Sequence, residues 1–334
     1  MRLAIYGAGS LGTVLGAYLA RNGVAVDLIT RNIEHVAALN AHGAHVVGKV
    51  DFTVPVHALL PAEMEGVYDG IFLLTKQLEN PSVAHFLEPH LARNGMLCTM
   101  QNGLPEPGLA SVFGEERVAG CAIAWGATLL GSGVVELTSE PDSLTFSLGM
   151  VGKSNPESLE QIAVILRNMG PVVIEKNFIG ARWSKLLINT AFSGMATVLG
   201  CTFGDVVDNP LARRLAQTIM KECIDTARAA KVTIEPVQGK DIVRLFDYST
   251  SVKRWISYKL IPLAMKKHRA LKPSMLQDIE KGKPCEIEAI NGVLSREASK
   301  NGISTPVNDT VVAIVHRIEA GEIQSGMGNL RFFA

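Results

Sequence analysis

Apolar residues in this chain come first as short, separated runs and later as long stretches of helical periodicity, with the change near Phe178-Ile179-Gly180. Leu3 to Tyr6, Val24 to Ile29, Tyr68 to Leu74 and Met96 to Met100 are each too short for a buried helix and read as strands. Helical stretches separate them, and such alternation predicts a parallel, doubly wound sheet. Val134 to Leu137, Leu144 to Leu148 and Val172 to Glu175 are expected to complete it. No low-complexity linker follows, so two tightly packed domains are expected, with the cleft between them as the default ligand site.

The first strand runs into Gly7-Ala8-Gly9-Ser10-Leu11-Gly12, and a helical stretch follows. In a strand–turn–helix unit the first glycine permits the turn, the second lets backbone approach a pyrophosphate, and the third brings helix and strand together. The phosphates then meet unpaired N–H groups at the helix start. The fold expected is therefore α/β, with a Rossmann-type dinucleotide-binding domain over 1–177 and an all-helical domain over 178–334. The second strand ends at Thr30-Arg31-Asn32, with Glu34 the nearest acid. A carboxylate there suits a ribose diol and a cation suits a 2′-phosphate, so Arg31 argues for NADP(H) unless it is an ordinary surface arginine.

Composition narrows the classes. The chain has 334 residues, 47% hydrophobic and 19% charged, enough for two cores. Thirty-two basic residues balance thirty-two acidic ones, which offers no general attraction to nucleic acid or anionic membrane. No apolar run approaches the length of a membrane span, and the start is a strand rather than a basic signal peptide, so a cytoplasmic protein is expected. Five cysteines without CxxC spacing read as reduced core residues, with no metal site indicated.

Two strands end in polar loops, Thr75-Lys76-Gln77 and Gln101-Asn102-Gly103. Ligands in open parallel sheets bind beyond the strand C-termini, so these loops either border a cofactor or are solvated turns. The helix from Trp183 to Ser193 is apolar except for Lys185, Asn189 and Ser193, whose four-residue spacing predicts one narrow polar stripe. Such a lysine either faces a lined cavity, tuned for proton transfer, or snorkels to solvent. In Cys285-Glu286-Ile287-Glu288 the two carboxylates cannot sit equally deep on one helix face, and by themselves they are acids near a helix start.

Together these segments resemble the ketopantoate reductase family (2-dehydropantoate 2-reductases) over nearly the whole chain. The likeness rests on the glycine motif, Lys76, Gln101-Asn102-Gly103, Trp183-x-Lys185-Leu-x-x-Asn189, Ser274-Met-Leu-Gln-Asp278, Glu286-Ile-Glu-x-x-Asn291-Gly292 and Thr305-Pro306-Val307-Asn308. It implies NADPH-dependent reduction of 2-dehydropantoate to pantoate, for pantothenate and coenzyme A synthesis, with Lys185 as proton donor and Glu286 beside it. Asn102, Asn189, Ser193, Ser274 and Glu286 would contact the small 2-oxo acid. Gly7 to Gly12, Arg31, Lys76, Asn102 and Ala127 would hold NADP(H), in a monomer or homodimer. Ser193 stands where many members carry a second asparagine, and Cys285 where threonine is usual, so a paralogous reductase of another 2-oxo acid stays open. A non-catalytic NADPH-sensing regulator is the other alternative, though a sensor needs only the first domain. The basic run within 236–272 reads as a solvated helical face, or as a lid or steering region for an anion.

Overall fold

The computed structural model describes residues 1–152, 155–236 and 241–333. The chain divides into two compact units, Met1–Gln101 with Pro105–Phe178, and Asn102–Leu104 with Ile179 to the end.

The first unit is α/β. Its strands are β1 (Leu3–Tyr6), β2 (Asp27–Ile29), β3 (Ala44–Gly48), β4 (Phe52–Val54), β5 (His57–Leu59), β6 (Tyr68–Leu73), β7 (Leu91–Thr99), β8 (Val118–Ile123), β9 (Ala127–Gly131), β10 (Val134–Leu137), β11 (Phe146–Gly149) and β12 (Val172–Ile174). Helices α1 (Ser10–Arg21), α2 (Ile33–His42), α3 (Asn80–Leu87), α4 (Glu106–Phe113) and α5 (Pro156–Leu166) connect them. Eight strands form one sheet in the order β12-β11-β8-β7-β6-β1-β2-β5, parallel except for the β8/β11 pair. Leu3, Ala4, Ile5, Ile71, Phe72 and Leu73 are buried, as the near-continuous apolar runs of a sheet covered on both faces require.

Val134–Leu137 does not complete that sheet. It is β10 of a separate four-stranded sheet, order β4-β3-β10-β9. The strands β3 and β4 are short and mix polar with apolar residues, so alternation along the chain gives little sign of them. Val46, Val135 and Leu137 from this sheet share a core with Val14, Leu15 and Leu19 of α1, which carries buried side chains around most of its circumference.

The second unit is helical, in agreement with the change of pattern near Phe178. It comprises α6 (Phe178–Ile188, whose first residue belongs to the first unit), a π turn at Asn189–Ser193, α7 (Gly194–Leu199), α8 (Phe203–Asp208), α9 (Pro210–Ala229), α10 (Ile242–Phe246), α11 (Ser251–Ala264), α12 (Ser274–Glu280), a second π turn at Glu288–Gly292, α13 (Val293–Lys300) and α14 (Pro306–Glu319). Pro210 in the first turn and the Asn209 side chain, which accepts from Leu211 and Ala212 N–H at 3.0 Å, start α9. That helix buries Leu215, Ile219, Met220, Cys223 and Ala227 in the core of this unit.

Glu222, also on α9, is buried, and its two oxygens accept the Val307 and Asn308 N–H groups at 3.0 and 2.9 Å. It thus caps α14 from another helix, while burial pushes its carboxyl up to about 7 against those donors. The two π turns interlock. Gly194 N–H reaches back to the Asn189 carbonyl, and the Thr190 carbonyl accepts from Asn291 Nδ2 at 3.0 Å. Asn291 Nδ2 also donates to Asn308 Oδ1 at 2.8 Å, and Asn308 Nδ2 returns a bond to the Asn291 carbonyl at 3.0 Å. Asn291 fits because Gly194 faces it: a Cβ there would lie 2.8 Å from the Asn291 amide.

Lys253, Arg254, Lys259, Lys266, Lys267 and His268 of the basic segment are exposed, while 237–240 lie outside the described residues. Asn291→Ala should lower the stability of the helical unit by about 2–4 kcal/mol, because two buried acceptors lose their donor. Urea unfolding followed by circular dichroism measures it, and an unchanged midpoint would show that the π turns do not need this amide.

Candidate active site

The strand ends place the glycine loop. Gly7 and Ala8 N–H groups both donate to the Ile29 carbonyl at 2.9 Å, and Leu74 N–H donates to the Tyr6 carbonyl at 2.8 Å, so the ends of β1, β2 and β6 are tied together. Gly7 has φ +105°, and a Cβ there would lie 2.5 Å from Thr75 N. At Gly12 it would lie 2.5 Å from the Gly7 carbonyl oxygen, whereas at Gly9 it would meet nothing within 4 Å. Two glycines are thus required by crowding and the middle one leaves open space above the start of α1. Gly9 caps that helix without a side-chain hydrogen bond, and its first turn carries no acid. The donor-rich, uncharged helix end next to open space fits a pyrophosphate.

Arg31 lies at the end of β2, with its side chain 75% exposed and Nη1 2.8 Å from Glu79 Oε2. Lys76 is half-buried ahead of a short 3₁₀ turn, Gln77–Glu79. Asn102 is half-buried and belongs to the second unit, and Ala127 opens β9. Gln101 is a staple: its Nε2 donates to the Thr75 carbonyl at 2.8 Å and to Asn80 Oδ1 at 2.7 Å, and its Oε1 accepts from Thr99 Oγ1 at 3.0 Å. The loops after β6 and β7 are therefore shaped by this buried amide.

In the second unit, the α-helix of Lys185 gives way to a π turn at Asn189; Lys185 and Asn189 are half-buried and Ser193 is buried, so the residues of the expected stripe sit at unequal depths. Trp183, Leu186 and Leu187 of the same helix lie in the core, and Ile179 and Ile188 pack against it half-buried. Glu286 stands two residues ahead of the second π turn, 7% exposed, and its carbonyl accepts from Ala289 and Ile290 N–H at 3.1 Å. Glu288 instead faces solvent in ion pairs with Arg296 at 2.5 Å and His316 at 2.8 Å. The two carboxylates do sit at different depths.

Ser274 is the exposed first residue of α12, and α12 packs against the first π turn, which packs against the second. The segments carrying Asn189, Ser193, Ser274 and Glu286 are thus brought together within this unit. Burial raises the Cys285 thiol, with Glu319 adding to the shift, so this cysteine stays protonated.

Comparison with known proteins follows the same division. Residues 3–149 match the family described as "Ketopantoate reductase PanE/ApbA", and residues 177–319 match "Ketopantoate reductase PanE/ApbA C terminal". The chain belongs to the ketopantoate reductase family. Members are nicotinamide-dinucleotide-dependent oxidoreductases acting on small 2-oxo acids. The 2-dehydropantoate 2-reductase of Pyrococcus horikoshii is 25% identical over 323 residues, 96% of this chain and 98% of that one. That of Archaeoglobus fulgidus is 27% identical over 321 residues, with 96% and 98% covered. Among solved structures, a PanE/ApbA family ketopantoate reductase from Ralstonia eutropha superposes with a TM-score of 0.81 at 27% identity, covering 96% of this chain and 99% of that one. A D-mandelate dehydrogenase solved with NADH and anilino(oxo)acetate shares the fold, with a TM-score of 0.82 at 23% identity and the same coverage. No helix among the described residues is long and apolar enough to cross a membrane.

Sequence patterns gave no sign of His35, a buried residue behind the glycine loop. Gly133 N–H donates to its Nδ1 at 2.9 Å, which leaves the ring proton on Nε2, 3.0 Å from Thr13 Oγ1. The Thr13 hydroxyl in turn donates to the Ala8 carbonyl at 3.3 Å. The chain β9–β10 turn, His35, Thr13, glycine loop is continuous, and burial lowers the imidazole pKa below 6.5. A neutral ring is therefore part of the fold. Its stabilisation should be complete above pH 6.5 and decline as pH falls below it, because the unfolded chain takes the proton first. For His35→Gln, the stability gap to wild type should narrow between pH 7.5 and pH 5.5 in urea titrations; a constant gap would mean the ring does not titrate on unfolding.

Proposed function

We propose that this chain reduces 2-dehydropantoate to pantoate with NADPH, with Lys185 as general acid. The observation that carries the reading is a half-buried lysine on a mostly buried helix, one turn ahead of a π turn that packs against α12, which Ser274 opens, and against the π turn that follows Glu286. Backbone departures of this kind recur at functional sites. The family supplies the chemical class, and the open backbone at Gly9 beside an uncapped α1 supports the dinucleotide.

When bound, the reduced nicotinamide supplies the hydride. Lys185 donates a hydrogen bond to the keto oxygen, stabilises the negative charge that grows there, and delivers the proton. Glu286, an acceptor when ionised, takes the substrate hydroxyl, and the Ser274 hydroxyl donates to the substrate carboxylate. Asn189 and Ser193 complete the substrate contacts from the helix of Lys185. On the cofactor side, Gly7 to Gly12 offer backbone donors to the phosphates, Arg31 meets the 2′-phosphate, and Lys76, Asn102 and Ala127 line the nicotinamide end. Domains 1–177 and 178–334 divide these duties in a cytoplasmic enzyme.

A paralogous NADPH-dependent reductase of another branched or polar 2-oxo acid is the second reading. It is favoured by Ser193 and Cys285, both buried and both departing from the residues usual in the family.

Lys185→Ala should lower kcat by about two to four orders of magnitude, the scale for a positioned acid. Steady-state NADPH oxidation with 2-dehydropantoate tests it, and nearly unchanged turnover would mean the proton comes from another group. Glu286→Ala should raise KM for the hydroxylated substrate more than for its deoxy analogue across a panel of 2-oxo acids. Parallel rises would point to a structural role for the carboxylate, and a wild-type preference for acids lacking the hydroxyl would favour the second reading.

A further inference from the structure

We propose that Glu79 sets the cofactor preference of this chain: by holding Arg31, it weakens selection of a 2′-phosphorylated dinucleotide and leaves room for the unphosphorylated one. The inference rests on the reading of Arg31 as the residue that meets the 2′-phosphate. Arg31 Nη1 and Glu79 Oε2 are 2.8 Å apart. Arg31 follows β2 and Glu79 follows β6, on either side of β1 in the sheet order, so their pair lies across the strand that ends in the glycine loop. Tyr6, the last residue of β1, marks the place. Its phenol is raised first by burial, and it feels both Arg31, which lowers it, and Glu79, which raises it.

The charges then decide. A 2′-phosphate carries about −1.5 to −2 at neutral pH. Arg31 alone would offer it a net positive partner. Paired with Glu79, the cation is already neutralised, and the phosphate must displace a carboxylate that also repels it. The side chains are 75% and 54% exposed, so the pair is weak enough for a dianion to open it. A ribose diol meets the opposite situation, since a carboxylate near the end of the second strand accepts its hydroxyls. One exposed ion pair therefore presents a cation to one dinucleotide and an acceptor to the other.

The test measures Kd for NADPH and NADH by quenching of protein fluorescence, at low and at high salt, for the wild type, Glu79→Gln, Arg31→Ala and the double variant. Glu79→Gln should tighten NADPH by about three- to tenfold while NADH is unchanged or weaker, and the gain should shrink as salt screens the charges. The gain should vanish in the Arg31→Ala background. If Arg31→Ala weakens NADPH selectively but Glu79→Gln leaves the NADPH:NADH ratio within twofold of wild type, or weakens NADPH, this inference is overturned while the role of Arg31 stands. Equal losses of both dinucleotides in Arg31→Ala would remove the reading of Arg31 itself, and with it the inference. Both positions are exposed, so folding is not at stake.

Discussion

Two buried amides tie the irregular segments of the helical unit together. The Thr190 carbonyl in the first π turn accepts from Asn291, whose own segment forms a π turn, and Asn308 closes the set. A buried carbonyl left unpaired would cost more than a typical hydrogen bond returns, so the three segments are held together as one unit. Lys185 precedes the first turn and Glu286 the second. The irregular backbone and its buried amides therefore govern where the two ionisable side chains lie.

The first unit solves a different problem. The glycine loop is bare of side chains on its open side, yet must be rigid without them. Crowding supplies part of the rigidity, since Gly7 and Gly12 admit no Cβ. The remainder comes from behind, through Thr13 and a neutral His35 tied to Gly133 N–H. The second sheet thereby contributes to a loop that belongs to the first.

Charged side chains in the two units differ in depth and in what they meet. Glu222 is buried and spends both oxygens on backbone N–H groups. Glu288 is exposed and paired on the surface, whereas Glu286, two residues earlier, is buried at a helix start. Arg31 and Glu79 remain at the surface, where a pair can open to a ligand at little cost.

The sequence by itself determined the fold class, the glycine loop, the change to helices near Phe178 and the different depths of Glu286 and Glu288. All of these follow from short-range periodicity and from the conformational demands of glycine. Tertiary structure alone decided the second sheet, because the β3/β4 and β9/β10 hairpins are joined only through the β3–β10 pairing, about ninety residues apart in sequence, and β3 and β4 carry no distinctive alternation. It also placed a π turn at Asn189–Ser193, where the Thr190 carbonyl meets Asn291, about a hundred residues away in sequence. His35, Glu79 and Glu222 were silent in the sequence, and the Gln101 loop was legible there without its hydrogen bonds. Each acts through a hydrogen bond or ion pair to a distant segment, and residue spacing carries information only about neighbours on the same helix or strand.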